Sequence, residues 1–185
     1  MGAETSSLES IQELRKTTSF DEDELIAFYK EFKDDYPEGK VNMAEFKTLF
    51  TKFFPLGDAE KYSEHVYRSF DGNRDGAIDF KEFVIGLSIL TRGDLERKMR
   101  WAFDLYDLDG NGFISITEAE EIINTVYKMM SSIVKIRKSS TCVAVEMFEK
   151  YDTNQDGRLS FDEFVQGNRK DSTFVKLLQC EPGTV

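Results

Sequence analysis

Several residue classes on which catalytic and secreted proteins depend are scarce in this chain. Among its 185 residues there is one histidine, His65. A proton relay through paired imidazoles is therefore excluded, and no nucleophile elbow, P-loop or HExxH pattern is present. Cysteine is limited to Cys142 and Cys180. In a chain that reads as cytosolic, reduced thiols are the default, and a disulfide is the lesser reading. No run of 18 apolar residues occurs, so no membrane-spanning helix is expected. No apolar stretch follows the start, so a secretory leader is not expected either. Cations are outnumbered: 24 Lys plus Arg face 35 Asp plus Glu, for a net charge of −11. Such a surface repels phosphate backbones, which excludes nucleic acid as a partner. What the chain has in quantity is Phe, sixteen of them, with six Met. Aromatics at this density imply large cores or a groove that opens for a partner.

The acids are patterned. Three twelve-residue stretches share one grammar: 71–82, 107–118 and 152–163. Oxygen-bearing side chains stand at positions 1, 3, 5 and 9: Asp71, Asn73, Asp75 and Asp79; Asp107, Asp109, Asn111 and Ser115; Asp152, Asn154, Asp156 and Ser160. Position 6 is Gly76, Gly112 or Gly157, where the sharp bend requires positive φ. Position 8 is apolar, and position 12 is Glu82, Glu118 or Glu163. This is the EF-hand loop. Calcium takes about seven oxygens at roughly 2.3–2.6 Å, and alternate side chains around a tight turn supply most of them. The backbone carbonyls of Ala77, Phe113 and Arg158 at position 7 add one each, and the terminal Glu adds two. Three bound ions would leave a net charge of about −5. Loop two carries four ligand acids, Asp71, Asp75, Asp79 and Glu82, against three in each of the others. More charge raises affinity, and this loop can also admit Mg2+.

Amphipathic runs with helical spacing flank each loop, so the expected fold is all-α, built of helix–loop–helix units. Such units pair through a short antiparallel β contact between their position-8 residues. Three is odd, and a fourth unit precedes the others. Gly39 at position 6 places Val41 at 8 and Glu45 at 12 of a loop beginning at Asp34. Tyr36 replaces its position-3 ligand, and Pro37 fixes φ and removes an N–H. The expected role is a structural partner for loop two; the rival reading is weak binding by Asp34, Glu38 and Glu45. Two pairs follow, residues 1–92 and 93–185, meeting near Gly93, which reads as either a swivel or a helix C-cap.

The chain resembles the neuronal calcium sensor family. The resemblance is carried by Met1–Ser6, Asp35-Tyr-Pro-Glu-Gly39, Phe53-Phe-Pro-x-Gly-Asp58, Ile78-Asp-Phe-x-Glu-Phe83 and the run Lys98–Gly110, and extends from Gly2 to about Cys180. Family resemblance implies a sensor anchored by an acyl chain. It acts on a receptor kinase, a cyclase or a channel by binding an amphipathic helix of that target. Met1-Gly2 with Ser6 fits the N-myristoylation pattern, so Gly2 is the candidate acylation site. A single acyl chain binds membranes only marginally, and the first ten residues hold Glu4 and Glu9 without a cation. Membrane association is thus expected to be weak, with a cytoplasmic protein becoming peripheral when calcium rises. The candidate groove comprises Phe28, Phe32, Phe46, Leu49, Phe50, Phe53, Phe54, Phe70, Phe83, Ile85 and Ile89 around loops one and two. In the family this face opens on calcium binding and takes the target helix. Alternatives are a cytosolic calcium buffer, which would barely open, and an auxiliary subunit of a potassium channel. A dimer is left open. Lys135–Lys138 reads as a solvated loop before a lipid contact, His65 as a helix-face residue and Trp101 as core.

Overall fold

The fold begins from four loop grammars and the helices that frame them. A computed structural model describes residues 11–53, 58–130 and 138–171. Gly2, Phe54, residues 131–137 and Cys180 lie outside those residues, as does the side chain of Phe53. Helix α1 (residues 11–17) precedes unit one, formed by α2 (Glu22–Asp35), β1 (Lys40–Val41) and α3 (Met43–Phe53). Unit two is α4 (Glu60–Phe70), β2 (Ile78–Asp79) and α5 (Phe80–Arg92). Unit three is α6 (Leu95–Tyr106), β3 (Phe113–Ser115) and α7 (Ile116–Met130). Unit four is α8 (Ser140–Tyr151), β4 (Arg158–Ser160) and α9 (Phe161–Lys170).

The expected pairing is present. Strands β1 and β2 are antiparallel with Val41 opposite Ile78, and β3 and β4 are antiparallel with Ile114 opposite Leu159. All four position-8 side chains are fully buried. Their burial makes the strand register costly to shift, because a one-residue slip would turn each of them to solvent.

The loop also starts the helix that leaves it. Asp79 and Ser160, both position 9, accept from the backbone N–H of Glu82 and Glu163. Those glutamates return a bond to the position-9 N–H, completing capping boxes. Ser115 and Glu118 make the same reciprocal bonds. Asn42 and Glu45 do so in unit one, at 3.0 and 2.8 Å. Positions 9 and 12 therefore have a folding role independent of any ion.

One hydrophobic cluster contains buried side chains of all four units. Helix α4 packs against α6 and α7, and α5 packs against α6, so the two pairs share an interface. In the second unit of each pair a glycine admits the aromatic that ends the entering helix. A Cβ on Gly86 would lie 2.4 Å from the Phe70 ring, and one on Gly167 would lie 2.2 Å from the Tyr151 ring. Helix α1 belongs to the same body: Ile11, Leu14 and the following Phe20 are buried. Polar contacts bind this segment to α5 and α6, including Glu13 to Lys81 at 3.0 Å and the Arg97 guanidinium to the Thr17 carbonyl at 3.1 Å. Gly93 sits at the end of α5 with φ −60° and ψ 141°, and its N–H donates to the Ile89 carbonyl at 3.1 Å. It is a C-cap in extended rather than left-handed form.

Candidate metal centres

Loops two, three and four share one hydrogen-bond pattern. The position-1 carboxylate accepts from the N–H groups of positions 5 and 6: Asp71 from Asp75 and Gly76, Asp107 from Asn111 and Gly112, Asp152 from Asp156 and Gly157. Position 3 accepts from the position-5 N–H through Asn73, Asp109 or Asn154. Position 5 accepts from the position-7 N–H through Asp75, Asn111 or Asp156. Each loop thus folds its oxygens around its own backbone, which fixes their spacing before any ion is considered.

Position 12 closes the ring. One carboxylate oxygen of Glu82 accepts from the Asn73 N–H at 3.1 Å while the other holds the Asp79 N–H. Glu118 accepts from Leu108 and Asp109, and Glu163 from Thr153 and Asn154, while each also caps its helix. Burial works to raise the Glu163 carboxyl, but the hydrogen bonds from Ser160, Thr153 and Asn154 outweigh it and hold that group below the usual range. In loop three the ligand atoms of Asp107, Asp109 and Glu118 lie within 4.8 Å of one another. Among the described residues no other trio of His, Cys, Asp or Glu gathers so closely. The donor sets of all three loops are oxygen-only and rich in carboxylate, which fits a hard divalent cation.

Loop one differs in its backbone, not only in its side chains. Helix α2 runs through Asp34 to Asp35, so the two opening positions are absorbed into the helix. Among the described residues, no hydrogen bond links the exposed Asp34 carboxylate to its loop, and none crosses the loop from Glu45. The cause stands at position 4. There the other loops have φ +59° at Arg74, +72° at Gly110 and +60° at Gln155. Pro37 cannot reach that region, because its ring holds φ near −65°. The sequence already marked Pro37 as fixing φ; the structure adds that position 4 is where the other loops turn left-handed. Glu45 persists as the capping partner of Asn42.

Cations also stand at the loops. The Lys40 ammonium of loop one lies 2.6 Å from Asp75 Oδ2 in loop two. Lys40 holds the Asp75 carboxyl below its usual value, and Asp75 in turn raises the lysine. Sequence reasoning missed the pair; the β1–β2 register sets Lys40 opposite Asp79, from where its side chain reaches Asp75. In loop four Arg158 lies over the Phe113 ring at 4.4 Å, with its Nε 3.6 Å from Asp156. Between the pairs, Arg68 donates to the Leu108 carbonyl of loop three at 2.9 Å.

The candidate groove residues take several positions. Phe32, Phe46 and Phe70 are buried in the core. Phe28, Phe50, Phe83, Ile85 and Ile89 are partly buried against it, and Leu49 is half-buried. Ring contacts run from Phe32 to Phe83 at 5.5 Å, from Phe83 to Phe70 at 6.5 Å, and from Phe70 to Phe46 at 5.7 Å. This face is a closed aromatic seam between units one and two. Trp101 is buried and donates to Ser69 Oγ at 3.0 Å. His65 is buried on α4, with Nε2 3.5 Å from Glu121 of α7. Cys142 is exposed and free. Lys138 pairs with Glu146 at 2.6 Å. No helix among the described residues is long and apolar enough to cross a membrane.

Residues 96–167 match the EF-hand domain pair family, and residues 68–86 match the EF hand family. The chain is 39% identical to recoverin of Homo sapiens over 184 residues, covering 97% of this chain and 92% of the relative. It is 35% identical to S-modulin of Aquarana catesbeiana over 184 residues, covering 97% and 91%.

Proposed function

The chain belongs to the neuronal calcium sensor family, and from that premise we propose that it holds three calcium ions, at loops two, three and four, and answers them by uncovering an apolar surface for a partner helix. As a member of this family it is a calcium-binding sensor and not an enzyme. The observation that carries the proposal is the double duty of position 12. Glu82, Glu118 and Glu163 each hold loop backbone with one oxygen and cap their exit helix with the other. Ligands at 1, 3, 5, 7, 9 and 12 are those named from sequence, and a bound ion supplies a divalent charge at their centre. Any change in what the position-12 carboxylate holds is transmitted to the helix that begins beside it. In unit two that helix is α5, whose Phe83 meets Phe32 and Phe70 in the aromatic seam. This favours a sensor over a buffer, because the ligand and the apolar face ride on one helix.

The partner is proposed to be an amphipathic helix of a receptor kinase, cyclase or channel, seated between units one and two after the seam opens. The halves are read as 1–92 and 93–185, with Gly2 acylated and the cytoplasmic protein meeting membranes weakly. Loop two is the candidate for Mg2+. Calcium should raise the melting temperature and increase binding of an apolar dye together. Ligand at a hundredfold over its dissociation constant stabilises by about 2.7 kcal/mol per site. A rise in melting temperature without dye binding would identify a buffer. For the membrane, sedimentation of the acylated chain with vesicles should require calcium and be lost in Gly2→Ala.

A further inference from the structure

We propose that Lys40, from the loop that has lost its own ligand set, acts as a built-in counter-cation for loop two and sets that site's calcium affinity. The inference rests on the reading that loop two binds calcium. Lys40 is position 7 of loop one, and the β1–β2 bridge fixes it opposite Asp79, position 9 of loop two. Its side chain crosses the bridge and places Nζ 2.6 Å from Oδ2 of Asp75, the position-5 ligand. The other oxygen of that carboxylate accepts from the Ala77 N–H, so both are engaged. An ion that takes Asp75 as a ligand must share it with the ammonium or displace the ammonium.

The second pair supplies the contrast. Arg158 is position 7 of loop four and faces Ser115, position 9 of loop three, in the equivalent register. It lies on the Phe113 ring and, among the described residues, touches no loop-three carboxylate; its Nε is 3.6 Å from Asp156, the position-5 ligand of its own loop, a longer contact than the 2.6 Å of Lys40 to Asp75 across the bridge. Loop three keeps its three carboxylates together, whereas loop two shares one with Lys40. Counting only the ligand carboxylates and a cation in contact with one of them, loop two has four less one ammonium, or −3, the value loop three has from Asp107, Asp109 and Glu118; Arg74 of loop two lies instead beside Gly110, and Lys81 pairs with Glu13. Lys40 thus cancels the charge advantage of loop two. The side chains of Lys40 and Asp75 are 52% and 39% exposed, so the ammonium can leave at small cost and salt should screen its effect.

The test uses the full chain carrying Glu118→Gln and Glu163→Gln, so that calorimetry reads loop two alone. Adding Lys40→Gln should tighten the calcium dissociation constant roughly two- to fivefold at low ionic strength. The gain should shrink by more than half at 1 M KCl, where the screening length is about 3 Å. Lys40→Arg, which keeps the charge, should stay within about twofold of the parent. Equal affinities for Lys40→Gln and the parent at low salt would overturn the inference. Glu82→Gln in the same background separates the two readings: loss of the remaining ion assigns it to loop two, and retention overturns the assignment and the inference with it. If that background fails to fold, the Gly76 amide resonance reports loop-two filling in the otherwise native chain. Its N–H lies 2.9 Å from Asp71 Oδ2. The same leftward shift of its titration in Lys40→Gln is expected there, and an unmoved midpoint would overturn the inference.

Discussion

The two halves of this molecule use one architecture for different ends. In the second pair both loops keep the backbone that gathers oxygens, and Gly110 and Gln155 take positive φ at position 4. In the first pair only loop two does, because Pro37 occupies that position in loop one. Yet β1 still pairs with β2, Val41 and Ile78 are still buried, and Asn42 with Glu45 still caps α3. The lesson is that the oxygen-gathering loop backbone and helix–loop–helix pairing are separable. Pairing keeps the position-8 side chains and the capping box; the gathered loops also have left-handed backbone at positions 4 and 6.

The largest test of that separation replaces Glu by Gln at position 12. Glu82→Gln, Glu118→Gln and Glu163→Gln should each remove about one ion from a total of three in native mass spectrometry, because each deletes a bidentate carboxylate. Glu45→Gln should remove none and cost only a weakened cap, about 1 kcal/mol or less in chemical denaturation. Loss of an ion in Glu45→Gln would restore loop one as a binding site.

Smaller effects follow from the packing that the halves share. Gly86→Ala and Gly167→Ala should each destabilise by about 1–3 kcal/mol in urea unfolding, since the new methyl meets the Phe70 or Tyr151 ring. Helix propensity alone predicts the opposite sign, a gain of roughly 1 kcal/mol. Stabilisation would show that the rings yield freely.

A hydroxyl comparison separates the two loops of the second pair. Tyr151 donates to the Asp171 carbonyl at 2.5 Å, whereas the buried Tyr106 hydroxyl has no hydrogen-bond partner among the described residues. Burial raises both hydroxyls above their ordinary pKa. Tyr151→Phe should cost about 1 kcal/mol, and Tyr106→Phe should be neutral or stabilising, both read by urea unfolding. Equal losses would refute the distinction.

The smallest effect concerns the seam between the halves. Burial lowers the His65 pKa, Arg68 adds to this, and Glu121 and Glu64 oppose it. A folded value below the ordinary one means that the unfolded chain binds the proton more readily. Stability is therefore intact above about pH 6.5 and declines as pH falls through that value. The melting temperature should drop more between pH 7.5 and 5.5 in the native chain than in His65→Gln. Parallel curves would remove His65 from the account.

Much of this protein is decided by its sequence. Oxygens at alternating positions, with Gly at 6 and Glu at 12, specify the intact loops, because calcium chemistry tolerates few other patterns. The spacing of Val41, Ile78, Ile114 and Leu159 specified the pairing, since buried β contacts require them. Tertiary structure decided what depends on proximity across units. It placed Lys40 on Asp75, Arg68 on the Leu108 carbonyl, and the aromatics of units one and two in a closed seam beside a docked α1. Periodicity marks Phe32, Phe46 and Phe70 as apolar-face residues but does not distinguish core from groove, because both bury the same side chains. The division of Glu45 from its three counterparts was legible in part, since Tyr36 and Pro37 already marked its loop, and the structure added the cap it shares with them. The same residue at the same position caps a helix in all four units, and only the backbone around it determines whether it can serve a metal as well.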